Sequence, residues 1–276
     1  MRRKIVFLLN PIAGGKNKSR VRQVIETWAN RSGLDFEIQV TNAEGDYGLL
    51  RRKIADERIT DIVIAGGDGT INSVVDALRD TGVCFGIIPM GSGNGLALTA
   101  GIPKNPRKAL DLVLHGKPTA TDAFIINEKF SCMLSGIGFD AQVAHDFARQ
   151  ERRGLATYVK QTYQNFLRAK PYRFEISTGQ FSVKTEAFFI SVANSNQFGN
   201  HFTIAPKASL NDGLLDIVIV PKMSKSRMLF SILRHIRTGN VDQLQHRGRR
   251  IVYFQASRLS IKNPDTAPLH IDGDPK

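Results

Sequence analysis

Cysteine is nearly absent from this chain, with only Cys84 and Cys132 among 276 residues. They lie far apart and form no Cys-x-x-Cys spacing, so neither a disulfide framework nor a thiolate zinc site is indicated. Long apolar runs are missing too, and none approaches the roughly 18 residues that span a bilayer. The start, Met1-Arg2-Arg3-Lys4 and then Ile5 to Leu9, imitates a signal peptide. Its apolar core stops at Asn10-Pro11, short of the h-region of about 7–15 residues such a signal needs. There is no internal repeat and no low-complexity segment. The expected setting is cytoplasmic. Acidic residues are the scarce charge: 25 Asp+Glu stand against 38 Lys+Arg, a net of +13. The imbalance is one-sided. Residues 1–140 hold 18 basic against 15 acidic side chains (+3), and residues 141–276 hold 20 against 10 (+10). Such an excess suits an anionic partner. No nucleic-acid motif accompanies it, so nucleic acid is not expected. Peripheral contact with an anionic membrane surface is, the plainer reading being a generally basic soluble protein.

What is present begins with Ile62-Val63-Ile64-Ala65-Gly66-Gly67-Asp68-Gly69-Thr70-Ile71-Asn72. A short apolar run, the pattern of a buried parallel strand, ends in glycines and an aspartate, and Val74, Val75 and Leu78 then continue at helical spacing. Glycine permits a tight turn and a close approach to a ligand. The amides of Gly69, Thr70 and Ile71 are expected at a helix N-terminus, where phosphate binds readily. Asp68 would repel a phosphate unless a cation lies between them, which implies Mg²⁺. Taken alone, the motif is also consistent with a glycine-rich turn carrying an Asp cap. Two more apolar runs end the same way. Lys4–Leu9 leads into Asn10-Pro11-Ile12-Ala13-Gly14, and Phe85–Pro89 leads into Met90-Gly91-Ser92-Gly93-Asn94. In an open parallel sheet such loops share one rim, where ligands bind. Thr41, directly after Phe36–Val40, fits the same rim, and equally a polar strand end. Spacing excludes two common cradles. Gly14-Gly15-Lys16 is followed by Asn17 and lacks the P-loop pattern. Neither Gly67-Asp68-Gly69 nor Gly91-Ser92-Gly93 completes Gly-x-Gly-x-x-Gly.

The first part alternates strand and helix: strands 4–9, 34–40, 61–65 and 84–88, with helices near 17–31, 46–57, 70–79, 93–100 and 106–115. This predicts a parallel α/β domain over residues 1–122. From 123 to 276 short strands dominate: Phe124–Asn127, Phe130–Ser135, Tyr172–Ser177, Phe181–Thr185, Phe188–Ala193, Leu215–Val220, Ile251–Gln255 and Leu259–Lys262. They predict an antiparallel β-sandwich. Helical patterns interrupt it from about Gly154 to Leu167 and from Ser224 to Gly239, each amphipathic and basic, packing on a sheet or lying on a membrane.

The motifs resemble those of the diacylglycerol, sphingosine and ceramide kinase superfamily, and most of all its bacterial soluble lipid kinases. The resemblance runs from Asn10-Pro11 with Gly14, through Gly66–Asn72 and Pro89 to Asn94, to Gly136-Ile137-Gly138-Phe139-Asp140-Ala141. It continues over Asn211-Asp212-Gly213-Leu214-Leu215-Asp216 and closes on Ile271-Asp272-Gly273-Asp274. It implies an NAD kinase/phosphofructokinase-like α/β domain and a β-sandwich whose terminal Asp-Gly-Asp returns to an interdomain cleft. ATP and Mg²⁺ are the implied cofactors and a lipid hydroxyl the implied acceptor. Asn10, Pro11, Ile12, Ala13, Gly14, Thr41, Gly66 to Asn72, Gly91, Ser92, Gly93 and Asn94 would hold the nucleotide, with Asp68 also catalytic. Asp274 occupies the place of the family's proton acceptor, usually Glu, with Asp272 beside it. Ser209, Asp212 and Leu214 would form a structural Mg²⁺ site, although Asn-Asp-Gly before a strand is also a common turn. The expected substrate is diacylglycerol or a related lipid alcohol. A sphingoid amine would want a carboxylate, for which Asp140 and Asp146 are candidates, but Arg149, Arg152 and Arg153 surround them. Sphingosine or ceramide kinase, NAD kinase and an inactive lipid-binding module remain alternatives. The last is motivated by Asp at 274 and by a chain that stops at Lys276, where relatives continue. A homodimer is left open.

Overall fold

A computed structural model describes residues 3–13, 18–150, 155–200, 202–229 and 251–276. Gly14, Arg152, Arg153 and the helix expected beyond residue 229 lie outside the described residues. The chain divides into two compact units, Met1–Ala120 and Thr121–Lys276.

The first unit runs β1 (Lys4–Leu9), α1 (Lys18–Arg31), β2 (Asp35–Val40), α2 (Gly48–Glu57), β3 (Asp61–Gly66), α3 (Asp68–Leu78), β4 (Cys84–Pro89), α4 (Gly95–Thr99) and α5 (Pro106–His115). Its four strands pair in the order β2-β1-β3-β4, all parallel. Central β3 is buried along its whole length, which is why its sequence is apolar without alternation. Ile5, Phe7, Val63, Ala65 and Ile88 turn one way and pack with Val21 and Ile25 of α1 and Leu110 of α5. Helix α3 lies against β3. The chain leaves β1 for β2 on one side and returns to β3 on the other. The loops after β1 and β3 therefore diverge at a topological switch point, the crevice where ligands of open parallel sheets sit.

The second unit opens with the hairpin β5 (Phe124–Ile126) and β6 (Lys129–Ser131). Then come β7 (Leu134–Gly138), α6 (Phe139–Ala148), α7 (Leu155–Arg168), β8 (Tyr172–Ser177), β9 (Ser182–Ala193), β10 (Leu215–Pro221), β11 (Val252–Ala256), β12 (Ser260–Lys262), β13 (Leu269–Ile271) and β14 (Asp274–Pro275). The main sheet runs β11-β10-β9-β7-β13-β14, with β8 pairing β9 and β12 pairing β8. All of these pairs are antiparallel. Along β10, Ile217 and Ile219 join one core with Phe174 and Ile176 of β8. Val218 and Val220 join the other, which Phe139 of α6 and Phe166 of α7 also flank. A strand buried on both faces loses the alternation of a half-exposed one.

Three local expectations change. The two strands read from Phe181 to Ala193 are one, because Glu186 and Ala187 keep pairing with Arg173 and Tyr172 of β8. The single strand read over Phe130–Ser135 is two, because the amides of Cys132, Met133 and Leu134 turn onto the carboxylate of Asp272. The division between units falls before residue 122, because Asp122 is bonded to Leu210, Asn194 and Gly213 of the second unit.

Candidate active site

In the first unit the rim at the carboxyl ends of the strands gathers Asn10, Thr41, Gly67 to Thr70 and Met90 to Gly95. Backbone bonds extend the ladder past the strands into these loops: Asn10 N to Ala65 O (3.0 Å), Thr41 N to Leu9 O (2.9 Å) and Met90 N to Gly66 O (2.8 Å). Across the switch point, Asn10 Nδ2 donates to Thr70 Oγ1 at 2.6 Å, while Asn10 Oδ1 accepts the amide of Ile12 at 2.9 Å. One side chain thereby shapes its own loop and ties it to α3. Pro11 and Ile12 are exposed, Ile12 to 82%.

The helix expected from residue 70 begins at Asp68. Ile71 is consequently not a phosphate ligand through its amide, which donates to Gly67 O at 3.0 Å, and its side chain is buried. Gly69 and Thr70 lie in the first turn, whose amides have no acceptor within the helix. Asp68 does not cap its own helix. Its carboxylate accepts the amides of Gly95 at 3.0 Å and Leu96 at 3.2 Å, so it caps α4 and joins the second glycine loop to the third. That third loop is also closed on itself. Asn94, at φ +54°, accepts the Gly91 amide and donates to the Gly91 carbonyl.

Two of the glycines are explained by this close packing. A Cβ at Gly91 would lie 2.6 Å from Gly67 Cα and 2.9 Å from Asn94 Oδ1. A Cβ at Gly66 would lie 2.7 Å from the Thr70 side chain that meets Asn10. Gly91→Ala should therefore cost about 1–3 kcal/mol of stability, as overpacking does, and weaken nucleotide binding. Thermal melting with and without ATP measures both, and an unchanged midpoint with unchanged ligand shift would contradict the packing. The cradle fits a polyphosphate: first-turn amides, a glycine loop free of side chains, and exposed Ser92 beside them.

In the second unit, β13 and β14 are joined by Asp272 (φ +49°) and Gly273 (φ +85°), a two-residue turn with both central φ angles positive. Asp-Gly favours this turn in hairpins. The two carboxylates then part company. Asp272 is 5% exposed and accepts from Ser131 Oγ (2.7 Å) and from the amides of Cys132 (3.1 Å), Met133 (3.2 Å) and Leu134 (3.0 Å). Burial pushes its carboxyl up, against the pull of those hydrogen bonds. With its oxygens engaged, Asp272 holds the turn rather than reaching for a substrate proton. Asp274 stands exposed on β14.

The Ser209–Leu214 turn is closed by its own side chains. Asp212 Oδ1 accepts the Leu214 amide at 3.0 Å, and Ser209 Oγ donates to Asn211 Oδ1 at 2.9 Å. Asp122 Oδ2 takes the Gly213 amide at 2.7 Å, a partner that sequence spacing gave no means of finding. Among the described residues no group of three or more His, Cys, Asp or Glu could hold a metal ion. The donors at this turn are nevertheless all oxygen, which suits a hard cation. Asp140 lies in the first turn of α6 and is buried.

Comparison with known proteins agrees with this architecture. The diacylglycerol kinase catalytic domain family matches residues 4–126, and the YegS C-terminal NAD kinase beta sandwich-like domain family matches residues 134–276. A diacylglycerol kinase of Bacillus subtilis is 26% identical over 99% of this chain and 89% of its own length. A probable lipid kinase YegS-like protein of Klebsiella pneumoniae is 28% identical over 95% of this chain and 86% of its own. The solved structure of a putative diacylglycerol kinase from Bacillus anthracis superposes with a TM-score of 0.76 at 21% identity, covering 98% of this chain and 90% of that one, and so shares the fold. With the sandwich family alone matching more than half of its residues, the chain belongs to the YegS and diacylglycerol kinase family of lipid kinases.

Proposed function

We propose that the protein transfers the γ-phosphate of ATP to the hydroxyl of a neutral lipid alcohol, diacylglycerol or a close analogue. The observation that carries the reading is the cradle at the switch point, where Asn10, Thr70, Asp68 and Asn94 lock three loops together by side-chain hydrogen bonds. Phosphoryl transfer asks mainly for positioning and charge neutralisation. The amides of Gly69 and Thr70 and the loop Gly91–Asn94 orient the phosphates, and Thr41 borders the nucleoside. Asp274 accepts the proton of the lipid hydroxyl as the hydroxyl oxygen bonds to the γ-phosphorus, and the bond from that phosphorus to the β–γ bridging oxygen breaks, so that the oxygen leaves as part of ADP. Mg²⁺ bound with the nucleotide would neutralise developing phosphate charge, and a second, structural ion would be held by Asp212 and the Ser209 and Leu214 carbonyls.

Support for a neutral acceptor comes from the two carboxylates that could have met a sphingoid amine. Asp140 is buried, and Asp146 accepts from Gln142 at 3.2 Å with Arg149 4.0 Å away. Radiolabelled ATP with diacylglycerol, ceramide and sphingosine in mixed micelles tests the reading. Diacylglycerol should be the best acceptor. A tenfold or greater preference for sphingosine, lost on mutating Asp140 or Asp146, would reverse the substrate assignment, and no lipid phosphorylation at all would favour an inactive binding module.

The enzyme would meet its substrate at an anionic membrane surface. On α7, Val159, Tyr163 and Leu167 recur at four-residue spacing and are exposed, with Lys160 and Arg168 beside them. Among the described residues no helix is long and apolar enough to cross a membrane. Each Lys or Arg near an anionic surface contributes on the order of 1 kcal/mol, within a Debye length. Sedimentation with anionic vesicles should weaken as salt rises. Binding indifferent to salt and lipid charge would mean that the +10 half faces water.

A further inference from the structure

Beneath the Asp272-Gly273-Asp274 turn lies a buried carboxylate–imidazole pair with no part in the chemistry so far. His270 is 2% exposed on β13, directly opposite Gly136 of β7. Its Nδ1 accepts the amide of Gly273 at 3.2 Å. That atom must then carry a lone pair, so the neutral ring bears its proton on Nε2. Nε2 lies 3.5 Å from Oδ2 of Asp140, a residue 7% exposed. Asp140 Oδ1 accepts the amide of Ala141 at 2.8 Å, whereas Oδ2 is buried with no hydrogen-bond partner. The space in which the two groups meet exists because residue 136 is glycine. A Cβ there would lie 1.9 Å from Asp140 Oδ2 and 2.6 Å from His270 Nε2. His145, also on α6, reaches β13 by a separate contact, its Nε2 lying 2.9 Å from the Leu269 carbonyl.

Burying a carboxylate is costly, and although Oδ1 takes a first-turn amide of α6, Oδ2 is left facing His270. The cost is offset if the charge fixes the tautomer of His270, as a carboxylate behind an imidazole does elsewhere. The fixed ring then presents a lone pair to Gly273. The turn is thereby gripped at both central residues, Asp272 by Ser131 to Leu134 and Gly273 by His270. Asp274 follows at once, so its direction depends on both grips.

We propose that Asp140 and His270 are positioning residues for the terminal carboxylate, acting through the Gly273 amide. This rests on Asp274 being the proton acceptor. Kinetics on the full chain with ATP and diacylglycerol, using Asp274→Asn, His270→Leu, His270→Asn, Asp140→Asn and the double variant His270→Leu/Asp274→Asn, test it. His270→Leu and Asp140→Asn should lower kcat at least about tenfold, the size of effect a misdirected group produces, with KM for ATP unchanged. His270→Asn offers an amide oxygen to Gly273 in place of Nδ1 and should recover most of the loss. In the Asp274→Asn background, His270→Leu should add nothing to kcat. Full additivity, or no loss from either single variant, overturns the positioning role while leaving Asp274 as the base. A harmless Asp274→Asn overturns the base and the pair's role with it. Should His270→Leu fold poorly by thermal melting, the near-isosteric Asp140→Asn carries the same comparison.

Discussion

Asp68→Ala is expected to reduce phosphoryl transfer by at least about a hundredfold, the scale of a misplaced positioning group, while the protein still folds. The carboxylate accepts the amides of Gly95 and Leu96 and is the side chain that ties the second glycine loop to the third. Its removal uncaps α4, a loss of about 0.5–2 kcal/mol, and frees the Gly91–Asn94 loop to move against Gly67. The first unit keeps its buried core over β1, β3 and β4, so melting should fall modestly and remain cooperative. Asp68→Asn retains one acceptor oxygen and separates the two contributions. Activity restored by Asn would assign Asp68 to loop geometry. An Asn variant as inactive as Ala would assign it to charge beside the nucleotide. Undiminished activity in the purified Ala variant would sink the nucleotide site as described.

Asp274→Asn should lower turnover by about 10²–10⁴-fold, the contribution of a positioned general base. The amide has nearly the same shape and cannot take the proton. Asp274→Glu should retain much of the activity, since the side chain is exposed on β14 and the longer acid is chemically competent as a base. Asp272→Asn is expected to behave differently. An amide nitrogen there would face donors from Ser131 to Leu134, so the damage should appear in stability as well as in turnover. A crippling Asp272→Asn that leaves the melting temperature untouched, beside a harmless Asp274→Asn, would exchange the two roles.

Much of this protein was legible in its sequence. The alternation of strand and helix before residue 120 depends on local periodicity and capping, and the helix from Pro106 to His115 appears at its expected bounds, with Asn105 capping it through the amides of Arg107 and Lys108. The rim of loops is legible for the same reason, because a parallel sheet places every strand's carboxyl end on one side. The family resemblance extended that reading to the terminal motif. Where long-range hydrogen bonds compete with local ones, it failed. The break between β6 and β7 exists because Asp272, more than a hundred residues away in the chain, takes three successive amides. Helix α3 starts at Asp68, whose side chain is satisfied by another helix. The sequence by itself determined the two fold classes, the parallel run of the first unit's strands and the residue types of both carboxylate motifs, since these follow from periodicity and local backbone preference. Only the tertiary structure decided which carboxylate is sealed and which is exposed, that Asp140 meets His270, and that Gly91 is small to admit Gly67. Each of those depends on which atoms, distant in the sequence, the fold brings into contact, and spacing along the chain does not encode that.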